Sequence, residues 1–246
     1  MMNLDLLALA RAAGRNSLNE MEGKALLAGY GVDVPRYVRI ADASDVQRKV
    51  ADMTPPFAVK VLSADILHKS DAGGVRLGLT SPMDVESAIA EISLLPKIVA
   101  AEIDGFLVEE MAPAGKEIVI GGIQDPQFGP MIMVGLGGIF VEVLKDVSFR
   151  LCPITKKDAQ EMLDELRGKA ILEGTRGDTA VSLDAIIDLL LKIGGKDGLL
   201  THHGNNIAEL DINPVIVGPD AAIAVDVAIV LKTAETPEDK PEAKTS

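Results

Sequence analysis

Tryptophan is absent, and aromatic residues make up only 3% of the 246 positions. A surface for stacking nucleobases is therefore not expected. Positive charge is also short: 24 Lys and Arg stand against 37 Asp and Glu, a formal net charge of −13. Such a surface repels nucleic acid and anionic membranes, so neither is expected as a partner. A polyphosphate ligand would have to be held locally, by a few cations, a metal ion or backbone amides. The single cysteine, Cys152, excludes an internal disulfide and fits a reducing compartment. Its place before Pro153 in an apolar stretch favours packing over a catalytic thiol. No apolar run approaches the ~20 residues of a membrane span. Residues 1–15 lack a basic flank leading into a signal-type apolar core, and the expected location is cytoplasmic. No P-loop with Gly-Lys-Ser/Thr occurs, and residues 133–140 carry Phe140 where a dinucleotide fingerprint needs its third glycine.

What is present is a chain 48% hydrophobic and 25% charged, a globular composition. Its length suits one large domain or two lobes sharing a cleft. Ser17-Leu18-Asn19-Glu20 reads as a capping box opening a helix that stops near Gly31. Residues 57–62 and 75–79 read as strands joined by a loop that ends in Gly73-Gly74. Ser81-Pro82 starts a helix with Val85, Ile89 and Ile92 inward. Strand signals follow at 106–111, 117–123, 131–134 and 139–143. Thr155 and Ser182 cap helices to about 167 and 193, and strands 207–213 and 222–228 close the pattern. From 233 the chain is polar and charged, as in a disordered tail. The expected fold class is α+β with mostly antiparallel pairing.

Three groups of residues point to chemistry. Lys60 lies on a strand face between Ala58 and Leu62, where a lysine either snorkels or meets an anion. The loop after it gathers Ser63, His68, Lys69, Ser70, Asp71, Gly73 and Gly74. Its glycines allow close backbone approach and its hydroxyls and amides can cradle phosphate; an ordinary surface loop is the bland alternative. In residues 207–214 the odd positions Glu209, Asp211 and Asn213 share one face. A turn at 218–221 pairs Val217 with Ala222 and brings Asn213 opposite Asp226, with Cβ atoms about 4.5–5.5 Å apart. Asp211, Asn213 and Asp226 then form a cluster of hard oxygen ligands suited to Mg²⁺. A solvated polar face is the alternative, and Pro214 could disturb the register. Glu109, Glu110 and Met111 end an apolar strand and could connect two lobes. His202-His203 lacks the neighbours of a zinc site.

The segments NEMEGKALLAGYGVDVPRY, PFAVKVLSADILHKSDAGGVRLGL, FLVEEMAPAGKEIVIGGIQDPQFGPMIMVGLGGIFVEVLKDVSFRL and ELDINPVIV resemble the ATP-grasp subunit of ADP-forming acetyl-CoA synthetases. They are more distantly similar to the β subunit of succinyl-CoA synthetase. The likeness covers about residues 17–231. It implies an ATP-grasp fold of two α+β lobes enclosing a nucleotide cleft, the first at 17–105, the second at 106–232, with 1–16 before them and the tail 233–246 after. By position it makes Lys60 the phosphate-binding lysine, with Ser70, Gly73 and Gly74 in the phosphate loop. Glu109, Glu110 and Met111 fall on the adenine-receiving segment, and Glu117 on an acidic position of the nucleotide site. Asp211, Asn213 and Asp226 fall on the Mg²⁺ ligands, and His68 on a histidine that relays the phosphoryl group. The implied cofactors are ATP/ADP and Mg²⁺. The implied activity is an acid–CoA ligase completed by a CoA-binding α-type subunit, through which the small carboxylic acid and CoA arrive. Two departures stand out. The chain has no CoA-binding Rossmann domain, and Val227-Ala228 stands where relatives often carry Ala-Arg, so a local anion contact is either missing or supplied elsewhere, for example by Arg150 or Arg176. A carboxylate–amine ligase and a non-catalytic nucleotide-sensing module are the alternatives; His68 argues against the first.

Overall fold

The computed structural model describes residues 3–63, 66, 69–138, 145–174 and 179–232. Eleven strands are described: β1 Ser17–Leu18, β2 Tyr37–Ile40, β3 Phe57–Leu62, β4 Val75–Leu79, β5 Gly105–Glu110, β6 Lys116–Asp125, β7 Gly129–Leu136, β8 Val147–Leu151, β9 Ile207–Val217, β10 Ala222–Ala224 and β11 Val227–Leu231. They form two antiparallel sheets. The smaller has the order β2-β5-β3-β4; the larger runs β1-β11-β9-β6-β7-β8, with β10 paired to β9.

Each sheet has its own core, because each has one face covered by helices. In the small lobe the helix Pro82–Ser93 buries Val85, Ala88, Ile89 and Ile92 against Val59, Val61, Phe106 and Val108. Its start is the expected one, with Ser81 and Asp84 closing a capping box. In the large lobe the helices Glu20–Gly29, Lys156–Asp164 and Leu183–Gly194 pack their apolar residues on Ile118, Ile120, Ile132 and Ile212. Burial of these side chains removes apolar surface from water at about 25 cal/mol per Å².

Three expectations about organisation are corrected. First, the division between lobes does not fall at 105/106. Strand β5 pairs with both β3 and β2, so residues 105–110 belong to the small lobe. Second, residues 17–32 belong to the large lobe: Ser17 pairs with Val230, and Leu26, Leu27 and Val32 join the large core. Third, the helix at 20–29 is capped by Asn19 and Glu22, not by Ser17 and Glu20. Ser17 is already committed to β1, so its backbone is extended three residues before the helix starts. The anticipated strand at 139–143 and the tail from 233 lie outside the described residues.

Gly105 opens β5 with φ +119°, and a Cβ there would meet the Ile40 carbonyl oxygen at 2.6 Å. Gly74 lets the loop close onto β3, since a Cβ would come within 2.6 Å of Val61 Cγ1.

Candidate functional site

The C-terminal hairpin keeps the register counted from its turn. Ala222 pairs with Val217 and Ala224 with Val215; the Asn213 N–H donates to the Asp226 carbonyl at 3.2 Å; Val227 pairs with Ile212. The ladder passes through the cis Asn213-Pro214 peptide without slipping. Because strand side chains alternate, Glu209, Asp211, Asn213 and Asp226 share one wall of a cavity of about 360 Å³. Lys69, Ser70 and Asp71 of the glycine-ended loop form the opposite wall. The cavity thus lies where the two lobes meet. One Asp226 oxygen accepts from the Val227 N–H at 2.9 Å and lies 3.5 Å from Lys69 Nζ.

The donor set on this wall is hard oxygen, two carboxylates and an amide at Asp211, Asn213 and Asp226. Among the described residues no three His, Cys, Asp or Glu side chains gather into a self-sufficient metal centre. That incompleteness suits Mg²⁺, which keeps waters and takes phosphate oxygens beside one or two protein carboxylates.

Beneath the cavity lies a buried ion cluster. Lys60 neither snorkels nor faces an empty cleft. It is 4% exposed and its Nζ donates to Glu20 Oε1 at 2.6 Å and to the Val225 carbonyl at 2.9 Å, with Glu109 Oε1 at 3.4 Å. Lys24 Nζ binds Glu20 Oε1 at 2.9 Å and also pairs with Glu109. Lys69 Nζ reaches Glu20 Oε2 at 3.0 Å. Burial pushes the Glu20 carboxyl up, but the charges of Lys60, Lys24 and Lys69 outweigh it and hold the group well below the usual carboxylate range. Burial pushes the Lys60 ammonium down, and Glu20, Glu109 and Asp226 more than reverse this. Lys69 is raised by the same balance, desolvation against Glu20 and Asp226. Glu109 behaves oppositely: burial raises it and the lysines offset only part of that. Glu109 is the more weakly paired carboxylate, whereas Glu20 takes all three ammoniums.

Glu20 was read from the sequence only as a capping residue, and Lys24 was not singled out. On the helix Glu20–Gly29 the buried positions are Glu20, Gly23, Lys24, Leu26 and Leu27, whereas the apolar pattern suggests Leu18, Met21, Ala25 and Ala28. A Glu–Lys pair at i,i+4 reads as a solvated stripe. The available signal was Gly23 between them: its missing Cβ lets Val227 Cγ1 approach to 2.9 Å of that position.

Other expected residues fall elsewhere. Ser70 lines the cavity, and Gly73 and Gly74 shape its loop. Glu110 Oε1 accepts from the Thr54 N–H at 2.9 Å and lies 3.8 Å from Arg36, so it serves the outer end of β5. Met111 Sδ accepts from the Gly78 N–H at 3.1 Å, tying that end to β4. Glu117 lines a separate cavity of about 340 Å³ with Gly137, Gly138 and Leu172. Arg150 is engaged with Glu165 and Ser148. His68 and Arg176 lie outside the described residues. The Cys152 thiol is pushed up to about 12 by burial, as a packing residue would be.

The wall that carries Asp211 continues across the large sheet as an apolar strip. Pairing aligns Asp211 with Gly121, Met133 and Phe149, and Glu209 with Ile123, Met131 and Leu151. Ile123, Phe149 and Leu151 are each about half exposed, at 47%, 47% and 48%.

Residues 9–231 match the ATP-grasp domain family. The chain is 39% identical over 229 residues to the acetate–CoA ligase [ADP-forming] I subunit beta of Pyrococcus furiosus, covering 92% of this chain and 97% of that one. Among solved structures it is similar to the dinucleotide forming acetyl-coenzyme A synthetase 1 of Ca. Korarchaeum cryptofilum in complex with coenzyme A, Ca-AMPCP and HgCl+. The TM-score is 0.87 at 39% identity, over 93% of this chain and 99% of that chain. A second structure of that enzyme contains coenzyme A and Mg-AMPPCP, with its phosphohistidine segment pointing towards the nucleotide binding site. It matches with TM-score 0.79 and 38% identity over 94% and 100% of the two chains.

Proposed function

The chain belongs to the ATP-grasp domain family, and on that footing we propose that it is the nucleotide-binding subunit of an acid–CoA ligase that forms ADP. The reaction interconverts acid, CoA and ATP with acyl-CoA, ADP and phosphate. One observation carries the reading: the hairpin register sets Asp211, Asn213 and Asp226 on one cavity with Lys69 and Ser70, and Glu20 joins Lys60 to Lys69. Oxygen ligands face cations and hydroxyls over a space that phosphates can enter.

Asp226, Asn213 and Asp211 hold the Mg²⁺ that accompanies the nucleotide. Mg²⁺ bound there neutralises charge on the transferring phosphate. Lys60 and Lys69 bring cationic donors to the phosphate chain, and Ser70 offers a hydroxyl. His68, beside Lys69, accepts the phosphoryl group: a ring nitrogen forms the P–N bond as the bridging P–O bond to ADP breaks, and ADP leaves with the electron pair. Imidazole is a competent nucleophile near neutral pH, whereas Ser70 would need a separate base. The segment 105–117, with Glu109, Glu110, Met111 and Glu117, runs along the adenine side. The second half of the reaction belongs to a CoA-binding α-type subunit, and the apolar strip beside Asp211 supports such a partner. Action in the cytoplasm is part of the same proposal.

Reconstitution with the CoA-binding subunit and a panel of small carboxylic acids tests the proposal. Acyl-CoA and ADP are expected from ATP, acid and CoA. Asp226→Ala should lower turnover by about 100-fold or more, since a metal ligand is lost. Lys60→Ala should cost about 1.5–3 kcal/mol of nucleotide affinity. Normal turnover in the first variant, or unchanged calorimetric affinity in the second, would overturn the assignment.

A further inference from the structure

We propose that Glu20 is a positioning residue of the nucleotide site, a buried carboxylate that fixes the ammonium groups of Lys60 and Lys69 where polyphosphate meets them. The proposal rests on the reading of Lys60 as a nucleotide ligand.

Glu20 is the geometric centre of the cluster. Its Oε1 takes Lys60 at 2.6 Å and Lys24 at 2.9 Å, and its Oε2 takes Lys69 at 3.0 Å. Its side chain is fully buried, and among the described residues only Lys69 meets Oε2. The groups that converge come from every element around it: Lys24 from the same helix, Lys60 from β3, Lys69 from the loop before β4, Glu109 from β5 and Asp226 from the hairpin. Three lysines face three carboxylates, so the cluster is neutral. Buried charges persist only when paired, and removing one partner leaves the rest uncompensated.

The carboxylates are not equivalent. Asp226 also lines the oxygen wall, at 3.5 Å from Lys69. Among the described residues Lys69 pairs with Glu20 and Asp226 alone, so if Asp226 were to serve a divalent cation, Glu20 would hold Lys69. Glu109 shares Lys24 and Lys60 but touches neither Lys69 nor the cavity wall. Glu20 therefore orders both lysines at the moment the nucleotide arrives. It does so from the large lobe, while Lys60 and Lys69 belong to the small one, so the same contact sets the spacing between the lobes at the phosphate site.

The test uses the full chain and a non-hydrolysable ATP analogue with Mg²⁺, titrated calorimetrically from pH 7 to 9.5. Wild-type affinity should be flat across that range, because Lys60 is held charged by Glu20 and Glu109. Glu20→Gln should bind at least tenfold more weakly at pH 7.5. Its affinity should fall further towards pH 9.5, because Lys60 without its nearest carboxylate loses its proton earlier. Should that variant fail to fold, Glu20→Gln combined with Lys24→Met leaves Lys60 and Lys69 facing Glu109 and Asp226, a neutral set, and the same weakening and alkaline fall are expected. Lys60→Ala is measured in parallel. If Lys60→Ala binds normally, the nucleotide reading of Lys60 fails. If Lys60→Ala is weak while the Glu20 variants bind with wild-type affinity and a flat profile, the positioning role of Glu20 is wrong, since a purely architectural carboxylate would alter melting temperature but not the alkaline profile.

Discussion

Glu20 and Glu22 sit two residues apart at the start of one helix and do unrelated work. Glu22 closes the capping box with Asn19 and holds Arg15 through two short contacts; Glu20 turns inward to three lysines. Linkage gives Glu20 a signature of its own. Its folded value lies below that of the unfolded chain, so the stability it contributes is present above about pH 4.5 and is lost as pH falls below it. At the same scale stands His68. A ring phosphoryl group is stable to base and labile to acid. With partner and substrates present, the wild-type chain should carry such a label and His68→Asn should not, the asparagine keeping a hydrogen-bond donor but no nucleophilic nitrogen. Near-normal turnover in His68→Asn, with no label on the wild type, would refute the relay. Individual residues were legible where strand alternation fixed them: Asp211, Asn213 and Asp226 follow from period two and one turn. Lys60 was recognisable as a cation needing an anion, but its partner was not, because Glu20 lies 40 positions away in sequence on a helix whose charged pair looks exposed.

Strand β5 has both faces covered, with Phe106 and Val108 in the small core and Leu107 and Glu109 buried on the other side. A strand buried on both faces carries no alternation to say which sheet owns it, so the lobe boundary was misplaced by one strand. The C-terminal hairpin was readable for the opposite reason: β9 and β10 combine turn chemistry with a fixed register. The helix start at 20 shows how a short strand misleads. Ser17 and Asn19 are both good caps, and only the pairing of Ser17 with Val230 decides between them. Asn19→Ala should therefore cost about 1 kcal/mol, and Ser17→Ala clearly less, measured as shifts of the urea midpoint. The reverse order would restore Ser17 as the cap. Strand β8 escaped notice because VSFRL is short and lies at a sheet edge, where polar and apolar residues mix.

The whole molecule is two cores joined through charge. Each sheet keeps its apolar side for its own helices, and the meeting ground is left to lysines, carboxylates and the cavity above them. That arrangement is why the class of fold and the presence of a cleft could be foreseen while the contacts across it could not: periodicity reports which side of an element is apolar, not which charges meet over long range. The pairing of β1 with β11 has a mechanical consequence. Ser17 lies opposite Val230, and the Leu231 N–H donates to the Asn16 carbonyl, so the chain enters and leaves this edge at one point. Tension applied between the segments before residue 16 and after residue 231 runs along the interstrand hydrogen bonds, which lie perpendicular to antiparallel strands, and loads them one after another. In an optical trap the edge should peel open at low force rather than yield in a single shear event. Since β1 leads straight into the helix that carries Glu20, peeling would draw the carboxylate away from its lysines and take Leu18 out of the large core, while leaving the small core intact.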